Sequence, residues 1–430
     1  MKRCTLLLLL ALLAGCANNK DPVKPEPNPE PLPAPAYTFI YGDTLNATAQ
    51  CPQIDIPWPS LANSPWPMAM VNQQGLSRAP WPLLTTGELI WSVPPVHEAT
   101  GYGAIEWGLS VGPQGQIYTN EGWKAHRAHS HDGDLLWQLG APYEPSTGSS
   151  IGADGTLYCG SYHGLLAVNP DGSIKWVFKE DTYFNGVRPL IGVDGTIYAR
   201  AVKEYLTLYA ISSEGQEIWS TAVDRPAYCV TASPDGSVLY AQGDGGHLLA
   251  LNAATGAELW RFPLGLRGFG HAAVDNSGNL YVCRAVQDTL RELVSLSPTG
   301  QERWCYRVPH SYQNWDQGLL GPTIAYNGYI YAVMLEGGVI ALDYEGKLRW
   351  CLHTPTQWFW PPFTDSAGDI LLLCQIRDHI FKVSESGHLI RAYQLRHDYQ
   401  LADFPSMMPS GLSHDGCFLA AAGKRILKIQ

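Results

Sequence analysis

Aromatic, histidine and acidic side chains gather in two stretches of this chain, His310-Ser311-Tyr312-Gln313-Asn314-Trp315-Asp316 and Thr356-Gln357-Trp358-Phe359-Trp360-Pro361-Pro362. His97, Tyr102, Tyr143, Tyr183, Arg188, Arg267, Phe269, His397 and Tyr399 fall in other irregular stretches. Rings with a polar tip, set beside guanidinium groups, suit stacking on sugars or gripping an extended peptide. The candidate ligand-binding residues are therefore His310, Tyr312, Trp315, Asp316, Trp358, Phe359, Trp360, Arg188 and Arg267. A purely structural reading stands beside this one: the same rings could fill an interior channel or pack under residues 38–86.

Other constellations carry less. His126, His129 and His131 with Asp132 resemble a metal cluster, but they lie on a strand whose alternation sends His126 to one face and the other two to the opposite face. Glu98, Glu106 and Asp316 could supply paired carboxylates for glycoside hydrolysis, though nothing in their spacing favours it. No Gly-x-Ser-x-Gly and no phosphate-cradling loop occurs. Eight cysteines (Cys51, Cys159, Cys229, Cys283, Cys305, Cys351, Cys374 and Cys417) remain once Cys4 and Cys16 are set aside. Several sit on strands where small buried hydrophobes belong, which favours mostly free, buried thiols and leaves room for one or two disulfides. The absence of Cys-x-x-Cys argues against a zinc ribbon or c-type haem. No catalytic set and no metal site is assigned.

The elements that must position these residues are repeats. A turn ending in Gly is followed four residues later by Trp at Gly87/Trp91, Gly133/Trp137, Gly172/Trp176, Gly215/Trp219, Gly256/Trp260, Gly300/Trp304 and Gly346/Trp350. An eighth copy, Gly387, has Arg391 in place of Trp. The period is about 43 residues, that of a four-stranded propeller blade. A second turn series at Gly115, Gly155, Gly195, Gly236, Gly278, Gly328, Gly368 and Gly416 runs in step. The spacing predicts an all-β, eight-bladed propeller over 87–430. The last blade is one strand short, and residues 87–93 form an orphan outer strand, so the two together should close the ring. Tight turns then share one face and the longer connections the other, which makes the latter the candidate binding face.

These units resemble the PQQ-type propeller repeat, and Ala250-Leu251-Asn252-Ala253-Ala254-Thr255-Gly256-Ala257-Glu258-Leu259-Trp260 resembles its tryptophan-docking motif. The resemblance covers about 86–430. It implies that Trp91, Trp137, Trp176, Trp219, Trp260, Trp304 and Trp350 pack between adjacent blades, each opposite a small residue: Ala128, Ala167, Ala210, Ala250, Ser295 or Ala341 in blades one to six. Quinoprotein dehydrogenases of this fold stack PQQ against a disulfide between adjacent cysteines; this chain has no Cys-Cys dipeptide, so no cofactor is expected. The chain is similar in kind to the eight-bladed lipoprotein of the outer-membrane barrel-assembly machinery, a non-catalytic scaffold.

Met1-Lys2-Arg3, an apolar run from Leu6 to Leu13 and Leu13-Ala14-Gly15-Cys16 read as an export signal too short to span a bilayer. The last four residues resemble the bacterial lipoprotein box, which implies removal of 1–15 and lipidation of Cys16. Ala17 resembles outer-membrane sorting in a Gram-negative cell. Residues 16–37 form a Pro-rich tether. Residues 38–86, with Trp58-Pro59, Trp66-Pro67 and Trp81-Pro82, read as an ordered extension laid over the ring. A net charge of −11 argues against nucleic acid and against docking on anionic lipid through a basic patch. The sequence points to an envelope binding or scaffolding module for a protein segment or glycan. A polysaccharide-active or quinone-dependent enzyme is the alternative. Oligomeric state is not legible.

Overall fold

The computed structural model describes residues 38–430 except 42–46, 70–71, 94–104, 122–123, 186–187, 203–205, 224–229, 244–245, 266–270, 287–289, 309–318, 335–337, 354–359, 374–378, 395–406 and 423–424. Eight antiparallel sheets form the blades of a propeller. The consecutive strands of a blade run outward from the axis in sequence order, as in Pro145–Ile151, Leu157–Ser161, Gly164–Val168 and Ile174–Phe178 of blade two, and only the N-terminal strands join blades six and eight out of order. Inner and middle strands are buried on both faces; outer strands alternate, as in the exposed-and-half-buried pattern of Glu258–Pro263. Ring closure is as the orphan strand predicts: Leu89–Val93 pairs with Arg425–Ile429, so blade eight is built from both ends of the chain.

The repeat has a physical unit, a row of three side chains across the middle of the blade. In blade two Tyr158 pairs with Ala167, which pairs with Trp176. The same Tyr–small–Trp row recurs as Tyr118–Ala128–Trp137, Tyr198–Ala210–Trp219, Tyr240–Ala250–Trp260, Tyr281–Ser295–Trp304 and Tyr331–Ala341–Trp350. The small central residue lets the two rings meet, at centroid distances of 5.7–5.9 Å. Each indole then crosses to the next blade. Trp176 Nε1 donates to Ser213 O at 2.9 Å, and Trp350 Nε1 to Glu385 O at 2.9 Å. The turn glycine of that blade lies flat on the ring: a Cβ on Gly215 would stand 2.8 Å from Trp176.

Two blades depart from four strands. Thr38–Tyr41 adds to the outer edge of blade six, against Leu348–His353. In blade three the inner strand is broken into Tyr183–Phe184 and Leu190–Ile191, both paired with Ile197–Val202. Phe184 pairs with Ala201 and Leu190 with Tyr198, so more residues lie between the two short strands than their partner can pair.

Candidate functional site

Seven of the nine candidate ligand-binding residues fall outside the described residues: His310, Tyr312, Trp315, Asp316, Trp358, Phe359 and Arg267, as does Cys16. Trp360 opens blade seven; its backbone N–H donates to Leu373 O at 3.1 Å, and its half-buried ring packs on the cluster containing Trp66 and Phe363. Arg188 is buried beside the break in blade three, where it turns toward the axis.

The axis is filled by the chain itself. Residues 49–69 cross the tight-turn face, bonding to the turns of blades six and five, then three, two and one. Met68 bridges Ser150, and Ala69 N–H donates to Ser149 O at 2.9 Å, running down the inner strand of blade two. The path reverses around Asn72, whose side-chain oxygen accepts from the N–H groups of Gln74 and Leu76. This finger then meets one inner strand after another. Ala232 N–H of blade four donates to Gln73 O, Val274 N–H of blade five to Gln74 O, and Thr364 N–H of blade seven to Ser77 O. Ala69, Leu76, Ser77 and Ala79 are buried. Gly75 is the tightest point: its φ is +74°, and a Cβ there would lie 2.3 Å from Ala272 O. Its carbonyl accepts from His271 Nε2 at 3.0 Å. Burial, with the Arg188 charge, pulls the His271 pKa down to about 4, so the ring is neutral near pH 7. Apart from Gly75, nothing in the sequence of residues 66–79 marks this role, because the finger is recognised through its backbone by partners scattered over the ring.

A cleft opens between blades two and three, on the side of the ring opposite the tight turns. Thr147, Phe184, Asn185, Arg188, Arg200 and Val230 are among its lining. It encloses about 350 Å³ of atom-free space, solvent at its mouth included. Arg188 donates from Nε to Ala69 O at 3.0 Å and from Nη2 to Asn72 O at 2.9 Å, which ties the cleft to the finger. Arg200 Nη2 donates to Asn185 Oδ1. Beside the cleft Tyr162 and Tyr183 stack with centroids 4.8 Å apart and planes within 3°. Arg200 lies on a strand with no outward signal in the sequence; the clue to it was the run Asn185 to Pro189, which interrupts a strand pattern.

The three histidines of blade one part company. His126 Nδ1 lies 2.8 Å from Asn120 Oδ1, His129 Nδ1 3.4 Å from Gly133 O, and His131 Nε2 accepts from Lys428 Nζ at 3.1 Å. Pairing with Ile117–Glu121 runs unbroken, so His126 and His129 do point to opposite faces; this middle strand is buried on both, and both histidines are buried. Burial lowers them to about 3 and about 4. Lys428 also pairs with Asp415 at 2.6 Å. Burial alone would raise the Asp415 carboxyl, but hydrogen bonds from Lys428 and Ser413 outweigh it and hold it at about 2. Cys51, Cys159, Cys305, Cys351 and Cys417 are free thiols; Cys305 is exposed where the sequence suggests a buried thiol.

A family described as outer membrane protein assembly factor BamB matches residues 83–228 and 204–358. The chain belongs to this family. The match spans blades one to six, the blades that keep the Tyr–small–Trp row. An outer membrane protein assembly factor BamB from Burkholderia pseudomallei (strain K96243) is 26% identical over 155 residues, 35% of this chain and 37% of that protein. The matched region thus spans little more than a third of that relative's length. Among solved structures, BamB from Moraxella catarrhalis superposes with a TM-score of 0.58 at 17% identity, covering 80% of this chain and 97% of that one. A quinohemoprotein alcohol dehydrogenase from Comamonas testosteroni superposes at 0.63 and 11% identity, covering 91% of this chain and 82% of that one. At such identities these two likenesses speak to fold alone, so the shared BamB-family fold is common to assembly factors and dehydrogenases.

Proposed function

We propose that this protein is a non-catalytic envelope scaffold that works in outer-membrane protein assembly, held at the membrane by a lipid on Cys16. It grips a protein segment on the face opposite the tight turns. The observation that carries this reading is the finger. The chain spends residues 66–69 and 72–79 filling its own axis, with bonds to successive inner strands, so the room for a ligand is left to the connections on the opposite face. The Tyr162–Tyr183 stack and the cleft beside it supply apolar area and hydrogen-bond donors there. The residues present do not fit a quinone held against adjacent cysteines. The sequence has no such pair, and Cys159, Cys283 and Cys351 are each buried within a strand, their thiols pushed up by burial, Cys351 to about 12.

The test is site-specific photo-crosslinking in intact cells, with the crosslinker at Tyr162 and, separately, at Trp360. A reproducible adduct with a protein of the outer-membrane assembly machinery is the expected result. No protein adduct, together with glycan binding by the purified protein, would overturn the reading in favour of a sugar ligand. A Cys16→Ser variant should lose membrane association and acyl labelling; unchanged membrane retention without label would remove the lipid anchor from the proposal.

A further inference from the structure

We infer that the strand Thr38–Tyr41 is a mooring. It fixes the point at which the chain leaves the ring, and it turns the face opposite the tight turns toward the membrane that holds Cys16. This deepens the scaffold reading and rests on it only for the lipid anchor.

Two contacts give the direction of the chain along blade six. Thr38 pairs with His353 and Tyr41 with Trp350, on the outer strand Leu348–His353. That strand starts from the tight turn closed by Asp343 and Lys347 and ends on the opposite face. Further along the chain, Ala49 has reached the turn itself. Its N–H donates to Asp343 Oδ2 at 3.2 Å, and its carbonyl accepts from Tyr344 N–H at 2.8 Å. The chain thus descends the rim of blade six to the tight-turn face, and whatever precedes Thr38 departs on the other face. The six residues of Leu348–His353 set the two faces roughly 20 Å apart at this rim.

The strand is seated on the blade it pairs with. Cys351 is 2% exposed, yet Cys305, which holds the same place after the tryptophan one blade earlier, is exposed. Trp350 is fully buried where Trp304 is half-buried. The added strand accounts for both differences. Thr-Phe-Ile-Tyr is a run of good strand formers. Its pairing stops at Trp350, beside the bulge at Arg349, which keeps it from sliding further toward the tight turn.

The preceding sequence carries that exit direction onward. Residues 1–37 lie outside the described residues; their sequence puts seven prolines from Pro22 to Pro35 and leaves only Ala36 and Tyr37 before the strand. The fixed φ of each proline disfavours the sharp reversal that would carry the chain back over the rim. A segment gripped by the ring then lies between the ring and the bilayer.

The test uses the chain from residue 16 onward with a hexahistidine tag at its start, bound to phosphatidylcholine vesicles that contain a nickel-chelating lipid. A donor fluorophore is placed at Glu180 or, separately, at Asp171, exposed positions flanking the outer strand of blade two at its two ends. Acceptor-labelled lipid reports how near each lies to the membrane. Transfer should be stronger from Glu180 than from Asp171. The double variant Phe39→Pro with Ile40→Pro removes two successive N–H groups, one of which faces the partner strand, so the difference should be lost. In that variant Cys351 should become reactive to a maleimide, read by mass spectrometry, while the fully buried Cys159 stays protected and reports an intact ring. Equal transfer from the two positions without the prolines, stronger transfer from Asp171, a difference that survives the prolines, or a Cys351 that stays protected would overturn the mooring. The two labels without the prolines decide the orientation even where the variant fails to fold. Because the tag stands in for acylation, failure here removes the mooring and leaves the Cys16→Ser and crosslinking results to judge the anchor and the scaffold.

Discussion

Replacing Gly75 by alanine should unseat the finger from the axis. The residue sits at φ +74°, where an alanine costs about 1–2 kcal/mol. The steric clash costs more. The new Cβ would lie 2.3 Å from Ala272 O and 2.8 Å from His271 Cδ2, and the first of these is buried backbone directly before the inner strand Ala273–Val274. Backbone anchored to a paired strand has little freedom to yield, so the tip must lift. Lifting breaks the bonds that Ala232 N–H, Val274 N–H and His271 Nε2 make to the carbonyls of Gln73, Gln74 and Gly75. A buried donor left unmade costs about 1–3 kcal/mol, so three of them with the φ penalty come to at least about 4 kcal/mol. Hydrogen exchange read by mass spectrometry is the assay. Peptides containing Ala232 and Val274 should lose protection in Gly75→Ala, while the outer strand Glu258–Pro263 should keep it, and the stretch 72–79 should become a new cleavage site for proteases. Wild-type protection at Ala232 and Val274 together with an unchanged denaturation midpoint would refute the reasoning.

Trp350 is fully buried and donates to Glu385 O, so Trp350→Ala should cost about 3–5 kcal/mol, whereas Trp350→Phe, which keeps most of the ring, should cost clearly less; urea midpoints of the two variants check both. Acid should destabilise the ring well above the carboxylate range. His126, His129 and His271 are lowered to about 3, 4 and 4 in the fold against about 6.5 unfolded, so the unfolded chain binds more protons as pH falls from 6.5 towards 4. Stability is therefore intact above pH 6.5 and is lost across that window, by about 1.4 kcal/mol per pH unit for each histidine, and His271→Gln should flatten the slope measured by denaturation at stepped pH.

Most of the ring was legible because its information is local and periodic. A turn glycine, a Trp four residues on and a small residue across the strand give both the blade and its register, and the orphan Leu89–Val93 gives the closure. The candidate site was less legible for a physical reason. Arg188 stands out in a sequence as a charge in an irregular stretch, but its partners are the carbonyls of Ala69 and Asn72, more than a hundred positions away and chemically anonymous. Arg200 was hidden by lying in an ordinary strand, and its role depends on a break in the neighbouring strand. The finger is the extreme case, since backbone-to-backbone recognition leaves almost no mark on residue type beyond Gly75.

Blade seven shows why a departure from a repeat can be a constraint of closure. Its row is Leu371–Lys382–Arg391 in place of Tyr–small–Trp, and blade eight has Leu419–Lys428–Trp91. In both, a leucine for the tyrosine and a lysine for the small residue change together, so the long side chain fills the space the phenol would take and its ammonium reaches an aspartate, Asp369 or Asp415. What blade seven faces is also different. Its neighbour's outer strand is the N-terminal segment, which arrives across the tight-turn face instead of out of a preceding inner strand. The polar side chains of blade seven grip that arriving chain: Lys382 Nζ donates to Leu83 O at 2.8 Å, Tyr393 Oη to Leu84 O at 3.0 Å, and Arg391 Nη1 to Thr86 O at 2.9 Å. Asp365 accepts from Leu83 N–H at 2.9 Å. Tyr393 then covers Gly87, whose added Cβ would stand 2.1 Å from the ring, as the indoles cover the turn glycines elsewhere. The tryptophan missing at position 391 is thus a consequence of closing the ring with the other end of the chain, because a flat indole could dock one turn but could not supply the donors that latch residues 83–86.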